Sequence, residues 1–224
     1  MLRKITTLLA AASLLALAGT ASAVPCPGPD SAGHECTNEA AGCGSIAGIN
    51  NNVTGAALFD DGCTTRPIGF TFTFYGNAYT SVGVASNGYL AMGGCSFPSD
   101  GTDFTNDCPV PSTIDPDNAV FGVWDDLNPG NVAGRIQDGV VGSAPNRTYV
   151  VEYNNVPFFA SSATTSFQIQ LNENGGSGES ATVFIANAGQ TDYTSGIENV
   201  GGSDGLSRWC NNGSTGSSCT TYGA

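Results

Sequence analysis

The stretch GVWDDLNPG, from Gly122 to Gly130, sets two carboxylates side by side behind a tryptophan and ends in a turn sequence. Paired acids of this kind admit three chemistries: a catalytic couple, a cation site, or the polar exit of a strand. Neighbouring side chains in an extended segment point to opposite sides, so Asp125 and Asp126 do not face each other as a catalytic couple. If AVFGVW is a buried strand, the two acids are its exit, and Asn128-Pro129-Gly130 redirects the chain. One of them is also free to hold an ion at the end of a sandwich. Calcium suits such loops, because it takes roughly six to eight oxygens from carboxylates, amides and backbone carbonyls.

Other acidic loops share this composition: Asp60-Asp61, SDGTDFTND with Asp100, Asp103 and Asp107, and TIDPDN with Asp115 and Asp117. None follows the EF-hand order. SDGTDFTND comes nearest to a ligand spacing, so the calcium ligands expected are Asp125, Asp126, Asp100, Asp103 and Asp107. No other cofactor is expected. Catalysis finds little support. The chain has one histidine, His34, and its Ser and Thr residues are read as lacking a G-x-S-x-G nucleophile elbow. HECTNEAAGC offers His34, Cys36 and Cys43 but lacks a CxxC knuckle and a second histidine, so zinc is not expected. Glu152 and Asp126 are the candidates for two-carboxylate glycoside chemistry. Glu152 is read onto a wet strand face, since Tyr149, Val151 and Tyr153 occupy the other.

The elements that position these residues begin after a leader. Arg3 and Lys4 precede the apolar run Ile5 to Gly19, and Ala21-Ser22-Ala23 closes it, the pattern of a secretory signal peptide over residues 1–23. The run is shorter than a membrane span. The mature chain is expected to be exported, without membrane insertion. The formal charge of −13 becomes two units more negative once Arg3 and Lys4 leave, with 19 acids facing Arg66, Arg135, Arg147 and Arg208. Such a surface repels phosphate backbones, so no nucleic-acid partner is expected.

All eight cysteines, Cys26, Cys36, Cys43, Cys63, Cys95, Cys108, Cys210 and Cys219, lie beyond the leader and read as a disulfide framework. Spacing favours two local closures, Cys95 with Cys108 and Cys210 with Cys219, leaving the other four to staple the N-terminal segment. Helical periodicity is nearly absent, whereas strand alternation recurs. In PIGFTFTFYG, Ile68, Phe70, Phe72 and Phe74 alternate with Gly69, Thr71 and Thr73. Asn87-Gly88, between Val82/Val84 and Tyr89/Leu90/Met92, is a hairpin signal. RTYVVEYNNV, TSFQIQLNENG and TVFIA supply further arms. The fold class expected is all-β, an antiparallel sandwich or jelly roll with one wet face per strand. A Cys-rich segment at 24–66 packs on a sandwich at 67–224 that ends in a stapled tail. Phe158, Phe159, Tyr79 and Trp209 are read as core or edge filler rather than as sugar-stacking aromatics.

GFTFTFYGNAYTSVGVASNGYLAMGG resembles the opening of nidogen-type extracellular β modules, with their Phe-Tyr-Gly turn, Tyr-x-x-Val strand and Ser-Asn-Gly-Tyr-Leu hairpin. AVFGVWDDLNPG, RTYVVEYNNV, TSFQIQLNENGG and GIENVGGSDGL resemble the later blocks of related modules on secreted bacterial proteins, so the likeness runs from about Pro67 to Leu206. It implies a matrix, surface or interaction module and brings no catalytic residues. The function expected is therefore a secreted, non-catalytic interaction or adhesion module that holds an extracellular protein or glycan. A carbohydrate-active or carbohydrate-binding jelly roll is the alternative.

Overall fold

The computed structural model describes residues 26–38, 43–55, 58–96, 102–173 and 180–223. The leader read at 1–23 and Asp100 lie outside the described residues. Among those described, the chain forms thirteen strands and no α-helix: β1 (Glu35–Asn38), β2 (Asn51–Asn52), β3 (Cys63–Phe74), β4 (Asn77–Ala85), β5 (Tyr89–Met92), β6 (Ala119–Trp124), β7 (Ile136–Ser143), β8 (Asn146–Pro157), β9 (Thr164–Asn172), β10 (Ser180–Asn187), β11 (Thr194–Glu198), β12 (Gly205–Cys210) and β13 (Ser218–Gly223). They build two antiparallel sheets packed as a sandwich. One runs β1-β13-β10-β9-β8-β7-β2 and the other β12-β11-β6-β5-β4-β3.

Alternation places the core. Ile68, Phe70, Phe72 and Phe74 of β3 are buried, while Gly69, Thr71 and Thr73 are exposed. From the facing sheet, Tyr149, Val151 and Tyr153 of β8 and Phe167, Ile169 and Leu171 of β9 point inward to meet them. Tyr153 and Phe167 are register partners whose rings stack at 4.3 Å, and the Tyr153 hydroxyl donates to the Ala85 carbonyl across the sandwich at 2.6 Å. The opposing strand makes room for this pair by omitting a side chain. A Cβ on Gly122, in the middle of β6, would lie 2.4 Å from the Phe167 ring.

Along one open side, arginines tie the sheets together. Arg66 on β3 forks onto Asp138 on β7 at 2.7 and 2.9 Å, and the Tyr149 hydroxyl shares that carboxylate at 2.9 Å. Arg147 pairs with Glu173 and also donates to the Gly69 carbonyl at 2.9 Å, covering the edge of β3.

The expectation of one wet face per strand fails at the centre of the molecule, where β5, β6 and β11 are buried along their whole length. The reason is a third layer. Residues 102–117 cross the outside of the six-stranded sheet, where Val110 joins Tyr89, Ala119, Phe121 and Trp124 in a second apolar cluster. The Asp103 carbonyl there accepts from the Trp124 indole at 3.3 Å. Residues 43–50 lie likewise on the seven-stranded sheet. Gln168 brackets Ile46 through both its side-chain oxygen and nitrogen, Gln170 donates to the Gly44 carbonyl, and Ile49 packs on Gly139. Glu152 is only partly exposed and accepts from Gln168 at 2.9 Å.

The disulfides hold these two straps, and their pairing corrects the local closures expected from spacing. Cys43 joins Cys219, Cys63 joins Cys95, Cys108 joins Cys210, and Cys26 joins Cys36. Cys95 and Cys108 are each joined to a different strand: Cys95 to the start of β3, Cys108 to the end of β12. The closures Cys43–Cys219 and Cys108–Cys210 span 176 and 102 residues. In the chain-entropy picture each removes about 4–5 kcal/mol of disorder from the unfolded chain.

Peptide mapping of the unreduced protein is expected to recover Cys63 linked to Cys95 and Cys108 linked to Cys210; a Cys95–Cys108 peptide would refute the strap arrangement. Gly122→Val forces a branched side chain into the Phe167 ring. Overpacking costs about 1–3 kcal/mol or more, so calorimetry should show Tm lowered by at least about 2–4 °C.

Candidate functional site

The Ser86-Asn87-Gly88 turn between β4 and β5 organises one end of the sandwich. Gly88 adopts φ 89°, and a Cβ there would lie 2.0 Å from the Val123 carbonyl oxygen, so only glycine lets the turn seat against β6. Ser86 and Gly62 exchange two hydrogen bonds, both 2.8 Å: the Ser86 amide donates to the Gly62 carbonyl, and the Gly62 amide donates to the Ser86 hydroxyl. Asn87 is fully buried and polar. Its Nδ2 donates to Asp61 Oδ1 at 3.0 Å, and its Oδ1 accepts from the Leu127 amide at 2.9 Å. One amide side chain thus fixes the Asp60-Asp61 loop against the turn that follows β6.

Asp125 and Asp126 do mark the exit of β6, and they diverge. Asp125 accepts from the Asp126 amide at 2.7 Å and from the Gln190 side chain. Asp126 points the other way, to Asp60 and Asp61. The carboxylate oxygens of these three lie within 4.8 Å of one another, the one such acidic or His/Cys group among the described residues. Asp60 Oδ1 is enclosed and has no hydrogen-bond partner. Burial above all, then the charges of Asp61, Asp60 and Asp125, pushes Asp126 up to about 6. Burial and then Asp61 also raise Asp60. Three carboxylates at this separation favour a shared proton or a hard cation, and the spacing of their oxygens is compatible with the coordination sphere of calcium.

Of the ligands expected, Asp126 alone enters this trio. Asp103 and Asp107 ride on the 102–117 strap: Asp103 accepts from the Thr105 amide at 2.9 Å, and Asp107 accepts from the Ser112 hydroxyl at 3.4 Å. Asp100 lies outside the described residues. Asp60 and Asp61 were visible in the sequence only as an acidic loop, because nothing local announces a contact across some 65 residues of chain; Asn87 was visible only as a turn residue.

Apolar groups flank the acids. Phe59 and Phe159 are 54% and 53% exposed. Both are held by the same turn, since the Gly130 amide donates to the Phe59 carbonyl and the Phe159 amide to the Asp126 carbonyl. Phe159 thus departs from the reading as filler, whereas Phe158 and Trp209 are buried. Phe104, 49% exposed, follows Asp103, whose raised carboxyl feels the Asp61 charge after stronger effects of burial and its strap neighbours. Beside them lies a concavity of about 400 Å³ lined by Asn128, Arg135, Pro157, Phe158, Ala160, Ser161 and Ser162.

Other motifs resolve structurally. Cys36 and Cys43 are in disulfides, and His34 Nδ1 lies 3.1 Å from Asp30 Oδ2. The string GGSDG, Gly201 to Gly205, has the spacing of a nucleophile elbow that the sequence reading passed over. It forms the turn between β11 and β12, and the Ser203 amide and hydroxyl both engage the Asn199 side chain.

The chain belongs to the NIDO-related family, whose family model matches residues 40–222. No curated protein and no solved structure matches it significantly. The family and the four disulfides are consistent with an extracellular protein.

A carboxyl whose folded pKa is raised from 3.8 to about 6 binds its proton more tightly in the folded state. The stability it contributes is complete below the unfolded pKa and is lost as pH rises through about 6. In calcium-free buffer, Tm should therefore fall between about pH 4 and pH 7. Asp126→Asn should flatten part of that fall and raise Tm at neutral pH by about 2–4 °C. Calcium should raise Tm of the parent protein, with magnesium as control, and raise that of Asp126→Asn by a smaller amount.

Proposed function

We propose that this NIDO-related chain is a secreted, non-catalytic interaction module that holds an extracellular protein or glycan through the loop end of its sandwich. The observation that carries this reading is the set of exposed phenylalanines, Phe59 and Phe159, beside the Asp60, Asp61 and Asp126 carboxylates. Exposed aromatics on a rigid, disulfide-braced frame supply contact area at low entropic cost. Both sheet faces are partly occupied by straps, which directs contact to the ends.

Secretion is supported by the leader pattern, the eight paired cysteines and the family. The concavity beside the acids favours a glycan as the second reading. Pro157, Phe158 and Ala160 offer apolar contact to a sugar ring, while Asn128, Arg135, Ser161 and Ser162 offer hydrogen bonds. Its lining contains no carboxylate, which supports holding a sugar over hydrolysing one.

The test compares the parent protein with Phe59→Ser/Phe159→Ser on a glycan array and on intact cells of the producing organism, with calcium and with chelator. Binding should fall at least tenfold in the double variant, with Tm unchanged within about 2 °C. Release of reducing sugar from any bound glycan, abolished by Asp126→Asn, would instead establish an enzyme.

A further inference from the structure

A second set of buried carboxyls lies at the opposite end of the sandwich. Glu198 closes β11 and pairs in register with Ala119, the first residue of β6. β6 then runs six residues to Trp124 at the loop end, so the two ends stand about 17 Å apart. Glu198 is 1% exposed and Asp117 7% exposed. Glu198 Oε2 accepts from the Ser112 amide at 2.9 Å. Asp117 has the support of the Gly201 amide, yet its Oδ1 is enclosed and has no partner.

Gly202 shows where that oxygen points. A Cβ built there would sit 1.5 Å from the Ser112 carbonyl oxygen and 2.7 Å from Asp117 Oδ1. Two oxygens, one of them a buried carboxylate, therefore converge on a bare backbone carbon at φ 54°. Neither brings a hydrogen to the other, and the Asp117 oxygen is left without a hydrogen-bond partner. Asp107, reached by the Ser112 hydroxyl at 3.4 Å, adds negative charge at the rim. None of Asp107, Asp117 and Glu198 forms an ion pair with an arginine or histidine among the described residues. Burial above all, with the charges of Asp117, Asp107 and Asp115, pushes Glu198 up to about 8. Thr113, Ile114 and Asp115 alongside are exposed, which gives an ion a way in.

We infer that Asp117 Oδ1, the Ser112 carbonyl and the Glu198 carboxyl form a calcium-type divalent cation site that pins the 102–117 strap to the end of β11. The donors are all oxygens, two of them carboxylates, the set a hard cation selects over a thiophilic metal. Water completes the sphere. This site is independent of the loop-end trio and of the proposed function.

The test uses full-length mature protein, oxidised and freed of metal, in an Asp126→Asn background that removes the loop-end trio. Titration calorimetry with calcium alone should still show one bound ion per chain, lost on adding Asp117→Asn and weakened at least tenfold by Glu198→Gln. Calcium should also slow amide hydrogen exchange in 110–117 and 199–204 of the Asp126→Asn protein, a readout that does not depend on the Asp117 variant folding. Absence of calcium binding in folded Asp126→Asn would overturn the site. So would binding that survives Asp117→Asn, or exchange that calcium leaves unchanged in both segments.

Discussion

Two disulfides between residues more than a hundred apart, Cys43–Cys219 and Cys108–Cys210, govern the rest of this molecule. Each fastens a strap of irregular chain across the outside of a sheet. A strap has few backbone partners of its own, and ordering each of its residues costs about 1–2 kcal/mol of conformational entropy. Cross-links lower that cost by restricting the unfolded chain as well. Once fastened, the 102–117 strap buries the outer faces of β5, β6 and β11, and Tyr89, Phe121 and Trp124 gain a second core. The acids gather at the two ends of the sandwich, where loops meet. Burial raises Asp126 at one end and Glu198 at the other, and the one lysine of the sequence, Lys4, lies outside the described residues.

The turn that carries much of the family likeness is also the joint of the loop end. Ser86 and Asn87 are buried polar residues with their hydrogen-bond capacity spent on two other loops, and Gly88 allows their close approach. A Ser-Asn-Gly block read as a hairpin signal is thus a three-loop clamp. Position and charge follow from it: Asn87 holds Asp61 in place, and Asp61 presses on the titration of Asp126.

The sheets were legible because alternation is a local property. The apolar residues of β3, the Asn87-Gly88 hairpin and the arms that became β8, β9 and β10 could each be read within about ten residues. The straps were not legible in the same way. Val110 among prolines, or Ile46 and Ile49 in a Gly/Ser/Asn segment, has no periodicity to declare which face it covers. Disulfide partners failed for the related reason that spacing measures distance along the chain, and Cys95 and Cys108 are cross-linked to different strands. At the site, Asp126 was found from its neighbours in sequence. Its partners Asp60 and Asp61 required knowing that Asn87 gathers both loops.

The most direct test of the strap account is amide hydrogen exchange measured before and after mild reduction of the native protein. Restoring thiols to Cys43, Cys108, Cys210 and Cys219 should release residues 43–50 and 102–117 to fast exchange, while the centres of β8 and β9 keep their protection. Straps that stay protected without their disulfides, or a whole sandwich that opens together with them, would contradict a fold in which cross-linked straps complete the core of an otherwise self-standing sandwich.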